Sequence, residues 1–117
     1  MKTILVVDDN VALAHAIAAT LGRYDVKVTH NGPEALARAA ALSGCDLLIT
    51  DFVMPGMEGD RLARRIREIH PETRTLLLTG YGDYIILSDA AAVDAQLAKP
   101  FSPAALCQSV SALIGQP

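Results

Sequence analysis

The sequence predicts an α/β domain, a three-layer α/β/α sandwich around a five-stranded parallel sheet. Two observations carry this prediction. Short, mostly apolar runs occur at Ile4-Leu5-Val6-Val7, Leu47-Leu48-Ile49-Thr50, Leu76-Leu77-Leu78 and Gln96-Leu97-Ala98, separated by helical stretches. Runs of that length read as strands of a parallel sheet buried on both faces. Strand and helix also alternate along the whole chain, as a parallel sheet with crossover helices requires.

The elements follow in order. Thr3–Val7 is the first strand, and Asn10 caps a helix to about Leu21 whose Leu13, Ile17 and Leu21 share one face, with Gly22 ending it. Val26-Lys27-Val28 is a short second strand. Asn31-Gly32-Pro33 then turns the chain into a helix to about Leu42, with Pro33 near its first position, where a missing N–H costs little. The third strand spans about Asp46–Thr50, and Pro55, Gly56 and Gly59 make Phe52–Gly59 a loop. The next helix buries Leu62, Ile66 and Ile69 and stops before Pro71. Arg74–Leu78 is the fourth strand, followed by the loop Gly80-Tyr81-Gly82 and a helix from about Asp83 to Val93. Ala95–Ala98 is the fifth strand, and a last helix over about Pro103–Ile114 places Leu106, Val110, Leu113 and Ile114 on one face.

Composition narrows the function classes. A chain of 117 residues with 51% hydrophobic residues can build one real core, and it is too short for two domains. The sequence holds no repeat, low-complexity tract or linker, so residues 1–117 read as a single domain. Its apolar runs fall far short of a membrane span, and Lys2 leads straight into an acidic strand end rather than a secretory signal. A cytoplasmic location without membrane association is therefore expected. A net charge of −3 argues against direct nucleic-acid binding. Arg61, Arg64, Arg65 and Arg67 read as a solvated helix face near Glu58, Asp60 and Glu68. Cys45 and Cys107 lack metal-ligand spacing and read as buried or half-buried free thiols. His15, His30 and His70 read as solvent-facing or edge histidines.

Parallel strands gather their carboxyl ends along one edge, where open α/β sheets bind ligands. The strand ends here carry Asp8-Asp9, Asp51, Thr79 and Lys99. Each has a plainer reading by itself: Asp9 as a helix cap, Thr79 as a turn residue, Lys99 as a surface lysine. Independent capping does not explain why all of them follow apolar strands at corresponding ends. Three carboxylates in one cleft repel by several kcal/mol or take up protons. A divalent cation relieves that repulsion, and an oxygen-only site suits Mg²⁺. With an ammonium and a hydroxyl donor beside it, the set fits phosphoryl transfer to a carboxylate.

The sequence resembles the receiver domains of bacterial two-component response regulators over essentially its whole length. The matching segments are Ile4-Leu5-Val6-Val7-Asp8-Asp9-Asn10, Asn31-Gly32-Pro33-Glu34-Ala35-Leu36, Asp46 to Met57, Thr79-Gly80-Tyr81-Gly82-Asp83 and Lys99-Pro100-Phe101. The resemblance, not the periodicity, implies a flavodoxin-like sheet of order 2-1-3-4-5. It also implies that Asp51 is the phosphoacceptor, taking a phosphoryl group from a histidine kinase or histidine phosphotransfer protein. Mg²⁺ would be held by Asp9, Asp51 and the backbone carbonyl of Val53, and by Asp8 mostly through water. Lys99 would pair with Asp51 and then with the phosphoryl group, and Thr79 would move to donate to a phosphoryl oxygen. The family motif matched by Lys99-Pro100 usually has a cis peptide bond.

Several positions depart from the family pattern. Gln96 stands where receivers usually carry Tyr or Phe, so the switch that couples the phosphosite to the outer face is expected to be weakened or rewired. Ala95 stands where glycine is common. Val53 and Tyr81 offer nothing to orient water, so slow self-dephosphorylation is expected. In the helix from Asp83 to Val93, Ile86, Ala90 and Val93 make a core stripe, and Tyr84, Leu87 and Ala91 form a second apolar stripe. Either that second stripe is ordinary Ala-rich packing, or the helix, the strand 95–98 and the helix 103–114 form a face for a homodimer or effector.

Other classes fit less well. An aspartyl-nucleophile phosphatase of the haloacid-dehalogenase type needs a second acid two residues after the nucleophile, where this chain has Val53. Nucleotide or flavin binding lacks a complete glycine-rich motif, since Gly80-x-Gly82 is only a fragment of one. The chain ends at Pro117 with no output domain, which is consistent with a stand-alone receiver or with one excised from a larger DNA-binding regulator or hybrid histidine kinase.

Overall fold

A computed structural model describes residues 1–80 and 89–117. Five parallel strands, β1 (Thr3–Val7), β2 (Asp25–Thr29), β3 (Leu47–Asp51), β4 (Arg74–Thr79) and β5 (Ala95–Ala98), form one sheet in the order β2-β1-β3-β4-β5. The α-helices among the described residues are α1 (Val11–Thr20), α2 (Gly32–Ala41), α3 (Gly59–Ile69) and α4 (Pro103–Ile114). The family's strand order is thus present, and so is a cis peptide bond at Lys99-Pro100.

Two cores flank the sheet because strand side chains alternate in direction. Ile4, Val6, Leu47, Ile49, Leu76 and Leu78 point to one face and pack against Ala14 and Ile17 of α1 and Leu106 and Val110 of α4. Leu5, Val7 and Leu48 point to the other, against Ala35 and Ala39 of α2 and Leu62, Ala63 and Ile66 of α3. The central strands are buried on both faces, whereas β5 lies at the sheet edge and exposes Gln96 and Ala98. Leu113 and Ile114 are half-buried against the first core.

Helix starts follow their polar side chains. Asn10 Oδ1 accepts from the N–H of Leu13 at 3.1 Å, and Asn31 Oδ1 from that of Glu34 at 2.8 Å. Ser102 caps α4 in the same way, accepting from Ala105 N–H at 3.0 Å. Gly22 does not supply a left-handed end to α1. A positive φ at a helix end belongs to Gly115, at φ +79° and ψ −172°, which closes α4.

Several sequence expectations need correction. Ile69 is 40% exposed, because the buried stripe of α3 runs through Leu62, Ala63 and Ile66 and then His70, leaving Ile69 on its rim. His70 is buried, with Nε2 2.7 Å from the carbonyl oxygen of Ala39, so it joins the ends of α2 and α3. Arg67 is not a solvated charge. Its Nε donates to Thr73 O and its Nη1 to Ala91 O, both at 3.0 Å, and it pairs with Asp94. Arg61, Arg64 and Arg65 are exposed, as expected. Cys45 is buried, but Cys107 is exposed on the outer side of α4.

The loop and helix expected over residues 81–93 lie mostly outside the described residues, including Tyr81, Tyr84, Ile86 and Leu87. At the end of that stretch Ala90–Ala92 forms a single 3₁₀ turn, with Ala92 buried and Ala90 exposed, so Ala90 does not belong to a core stripe. No described helix is long and apolar enough to cross a membrane.

The two isoleucines of α3 separate periodicity from packing. Ile66→Ala should cost about 2–5 kcal/mol as a cavity mutation, whereas Ile69→Ala should stay within about 0.5 kcal/mol. Urea unfolding midpoints of the two variants check this, and equal losses would contradict the packing described.

Candidate functional site at the carboxyl edge

The ends of β1, β3, β4 and β5 bring the sequence-predicted residues together. Asp8 follows β1 and is fully buried, and its own N–H donates to Thr29 O at 3.2 Å. Asp8 Oδ1 accepts from the backbone N–H of Asn10 at 2.9 Å. Its Oδ2 accepts from Lys99 Nζ at 3.1 Å. The same ammonium lies 3.3 Å from Asp51 Oδ1. Asp9 is exposed, yet one carboxylate oxygen from each of Asp8, Asp9 and Asp51 falls within 4.8 Å of the others.

Thr79 closes β4 beside this cluster and is buried, and its carbonyl accepts from Lys99 N–H at 2.6 Å. The ladder therefore continues past the strand ends and holds Lys99 in place. Val53 is 65% exposed in the loop after β3, whereas Met54 turns inward. That loop closes through Gly59 N–H, which donates to Phe52 O at 2.9 Å.

Gly59 is a site residue that periodicity missed. A Cβ there would lie 2.3 Å from Asp51 O and 2.9 Å from Leu77 Cδ1. Only glycine lets the start of α3 approach the backbone of Asp51 this closely. The backbone amide of Asn10 was also missed, since Asn10 reads in the sequence only as a cap. An Asp two residues before a cap asparagine is the available signal for it.

The electrostatics agree with the geometry. Burial pushes the Asp51 carboxyl above its ordinary value, Lys99 pulls it down, and Asp8 and Asp9 push it up again. Three ionised carboxylates against one ammonium leave a formal charge of −2 (three negative, one positive) in a partly water-excluded cleft. The donors are all hard oxygens, so the set fits Mg²⁺ better than a transition metal.

Residues 4–111 match the response regulator receiver domain family. The chain belongs to that family. This receiver is 37% identical to the response regulator receiver protein CpdR of Brucella abortus over 105 residues, covering 86% of this chain and 87% of CpdR. It is 34% identical to the transcriptional regulatory protein TrcR of Mycobacterium tuberculosis, covering 85% of this chain but only 40% of TrcR. The receiver also superposes on the response regulator TrrA of Thermotoga maritima, solved in complex with Mg²⁺-BeF. That match has a TM-score of 0.84 and 33% identity, covering 97% of this chain and 99% of TrrA. Receivers are signalling domains of two-component systems rather than metabolic enzymes.

Asp51 gives a pH-dependent stability test. Because its folded pKa is raised, the folded state binds more protons than the unfolded chain between the ordinary value of 3.8 and the raised one. Ionised Asp51 therefore destabilises the metal-free fold above that window. Asp51→Asn should raise the urea midpoint at neutral pH in a chelator, and the advantage should shrink as pH falls through that window toward 3.8 and be lost below it. A lower midpoint for the variant at neutral pH would contradict this reading.

Proposed function

We propose that residues 1–117 form one receiver domain in which Asp51 reversibly accepts a phosphoryl group from a histidine kinase or histidine phosphotransfer protein. The observation that carries this is the Lys99 ammonium, 3.3 Å from Asp51 and 3.1 Å from Asp8, beside three converging carboxylates. An oxygen of Asp51 attacks the phosphorus of the donor's phosphoimidazole, and the P–N bond breaks with its electron pair returning to the ring nitrogen. The product is a mixed anhydride on Asp51.

Lys99 supplies a fixed positive charge for the phosphoryl oxygens, already oriented by Asp8 and by the N–H it gives to Thr79 O. The Thr79 hydroxyl serves as a donor to one of those oxygens. Asp9, Asp51 and the Val53 carbonyl, with Asp8 mostly through water, would hold Mg²⁺, which would supply positive charge to offset that of the phosphoryl group.

Phosphorylation then alters partner binding through a face that includes the strand 95–98 and the helix 103–114, where an effector or a second copy of the chain docks. Gln96 is exposed on β5 and brings no ring to that face, which supports a rewired switch. We place the domain in the cytoplasm, with no direct nucleic-acid contact. A receiver within a larger DNA-binding regulator or hybrid histidine kinase is the alternative setting, favoured by the match to TrcR, of which the chain spans 40%.

Incubation with Mg²⁺ and a small acyl-phosphate donor should add the mass of one phosphoryl group to the parent, and none to Asp51→Asn. Equal labelling of the two by intact-mass spectrometry would overturn the assignment. Val53 is apolar and solvent-facing, so it offers no group to orient an attacking water. Val53→Asn should speed loss of the phosphoryl group several-fold, and an unchanged or slower decay would count against that role.

A further inference from the structure

Two histidines lie together at the β2 side of the site, and the phosphoryl chemistry uses neither. His15 is exposed on α1, and His30 is half-buried just after β2. Their ring centroids are 5.9 Å apart, with the planes inclined at 59°. His30 Nδ1 is 3.2 Å from the backbone oxygen of Asp8. A carbonyl only accepts, so Nδ1 carries the proton and the lone pair of a neutral His30 sits on Nε2. A backbone carbonyl that fixes the proton on one ring nitrogen, leaving the lone pair on the other, is the arrangement that prepares histidine for a metal.

We propose that His15 and His30 form a two-imidazole site for a borderline transition-metal dication such as Zn²⁺, separate from the carboxylate cluster. Zn–N bonds of about 2.0–2.1 Å at a tetrahedral angle place two imidazole centroids about 5.2 Å apart. Reaching that from 5.9 Å closes the centroid separation by under about 1 Å, and His15 is exposed on α1. His30 need not move, because its ring is anchored to Asp8, whose own amide is fixed to Thr29. Water or a small anion completes the coordination, as suits a solvent-facing pair.

The two sites differ in ligand chemistry. Imidazole nitrogen selects Zn²⁺, Cu²⁺ or Ni²⁺, whereas the all-oxygen cluster suits Mg²⁺. A dication on the histidines adds positive charge beside Asp8, giving the domain a metal-sensitive input independent of any kinase. The site does not depend on Asp51 accepting a phosphoryl group.

The test is Zn²⁺ titration of the full chain by calorimetry in excess Mg²⁺, comparing the parent with His15→Ala, His30→Ala, Asp51→Asn and Cys107→Ser. Each histidine variant should bind Zn²⁺ at least about tenfold more weakly, with Asp51→Asn and Cys107→Ser close to the parent. Imidazole NMR signals of His15 and His30 should shift together on addition of Zn²⁺, leaving those of His70 in place. Parent-like affinity in His15→Ala, a folded variant by virtue of its exposed site, would overturn the proposal. So would loss of binding in Asp51→Asn or Cys107→Ser with the histidines intact.

Discussion

The structure is organised around one ammonium group between two carboxylates. Lys99 Nζ reaches both Asp8 and Asp51 from a different strand, and its side chain is only 25% exposed. Without it, fully buried Asp8 would be an unpaired charge in a low-dielectric interior, which folds avoid at a cost of several kcal/mol. The pair holds because further donors complete it: the Asn10 amide serves the other oxygen of Asp8. One lysine also leaves the cluster short of positive charge, and that deficit is what makes the cleft receptive to a cation and an incoming phosphoryl group.

The fold keeps this arrangement in place by fixing backbone rather than by adding side chains. Lys99 N–H bonds to Thr79 O, Phe52 N–H to Leu78 O, and Asp8 N–H to Thr29 O. These bonds extend the ladder beyond β1, β3 and β4, so the reactive groups sit on the rigid rim of the sheet. Gly59 then brings α3 against the Asp51 carbonyl, too close for any side chain. A second set of ties lies at the opposite end of α3. Arg67 joins that helix to Thr73, Ala91 and Asp94, and Asp94 in turn accepts from Thr75 N–H at 2.7 Å. Both ends of α3 are therefore anchored to the strands that carry the site.

Burial and repulsion set the charge state of Asp51 against each other. The proposed nucleophilic role asks for an ionised carboxylate, yet burial and the neighbouring acids disfavour ionisation of Asp51. Lys99 partly offsets this, and a bound dication would complete the compensation. The cleft thus carries electrostatic repulsion that a bound dication would relieve, and such binding would stabilise the domain.

Much of this was legible in the chain itself. Apolar runs ending in Asp8-Asp9, Asp51, Thr79 and Lys99, with alternating helices, sufficed for the sheet, its edge and the residues upon it. Strand limits matched closely because short apolar runs bounded by turns are a local signal, and Asn10 and Asn31 marked helix starts for the same reason. Residues whose surroundings come from distant elements escaped. His70 and Arg67 read as polar surface, but α2, β4 and the 3₁₀ turn close over them. Ile69 matched the helical period yet fell on the rim, because the register of α3 against the sheet, not the period, chooses the buried stripe. The sequence by itself determined which groups stand at the strand ends. Only the tertiary structure decided which of them touch, that Gly59 must be bare and that His15 meets His30, because those distances depend on how elements far apart in the chain pack together.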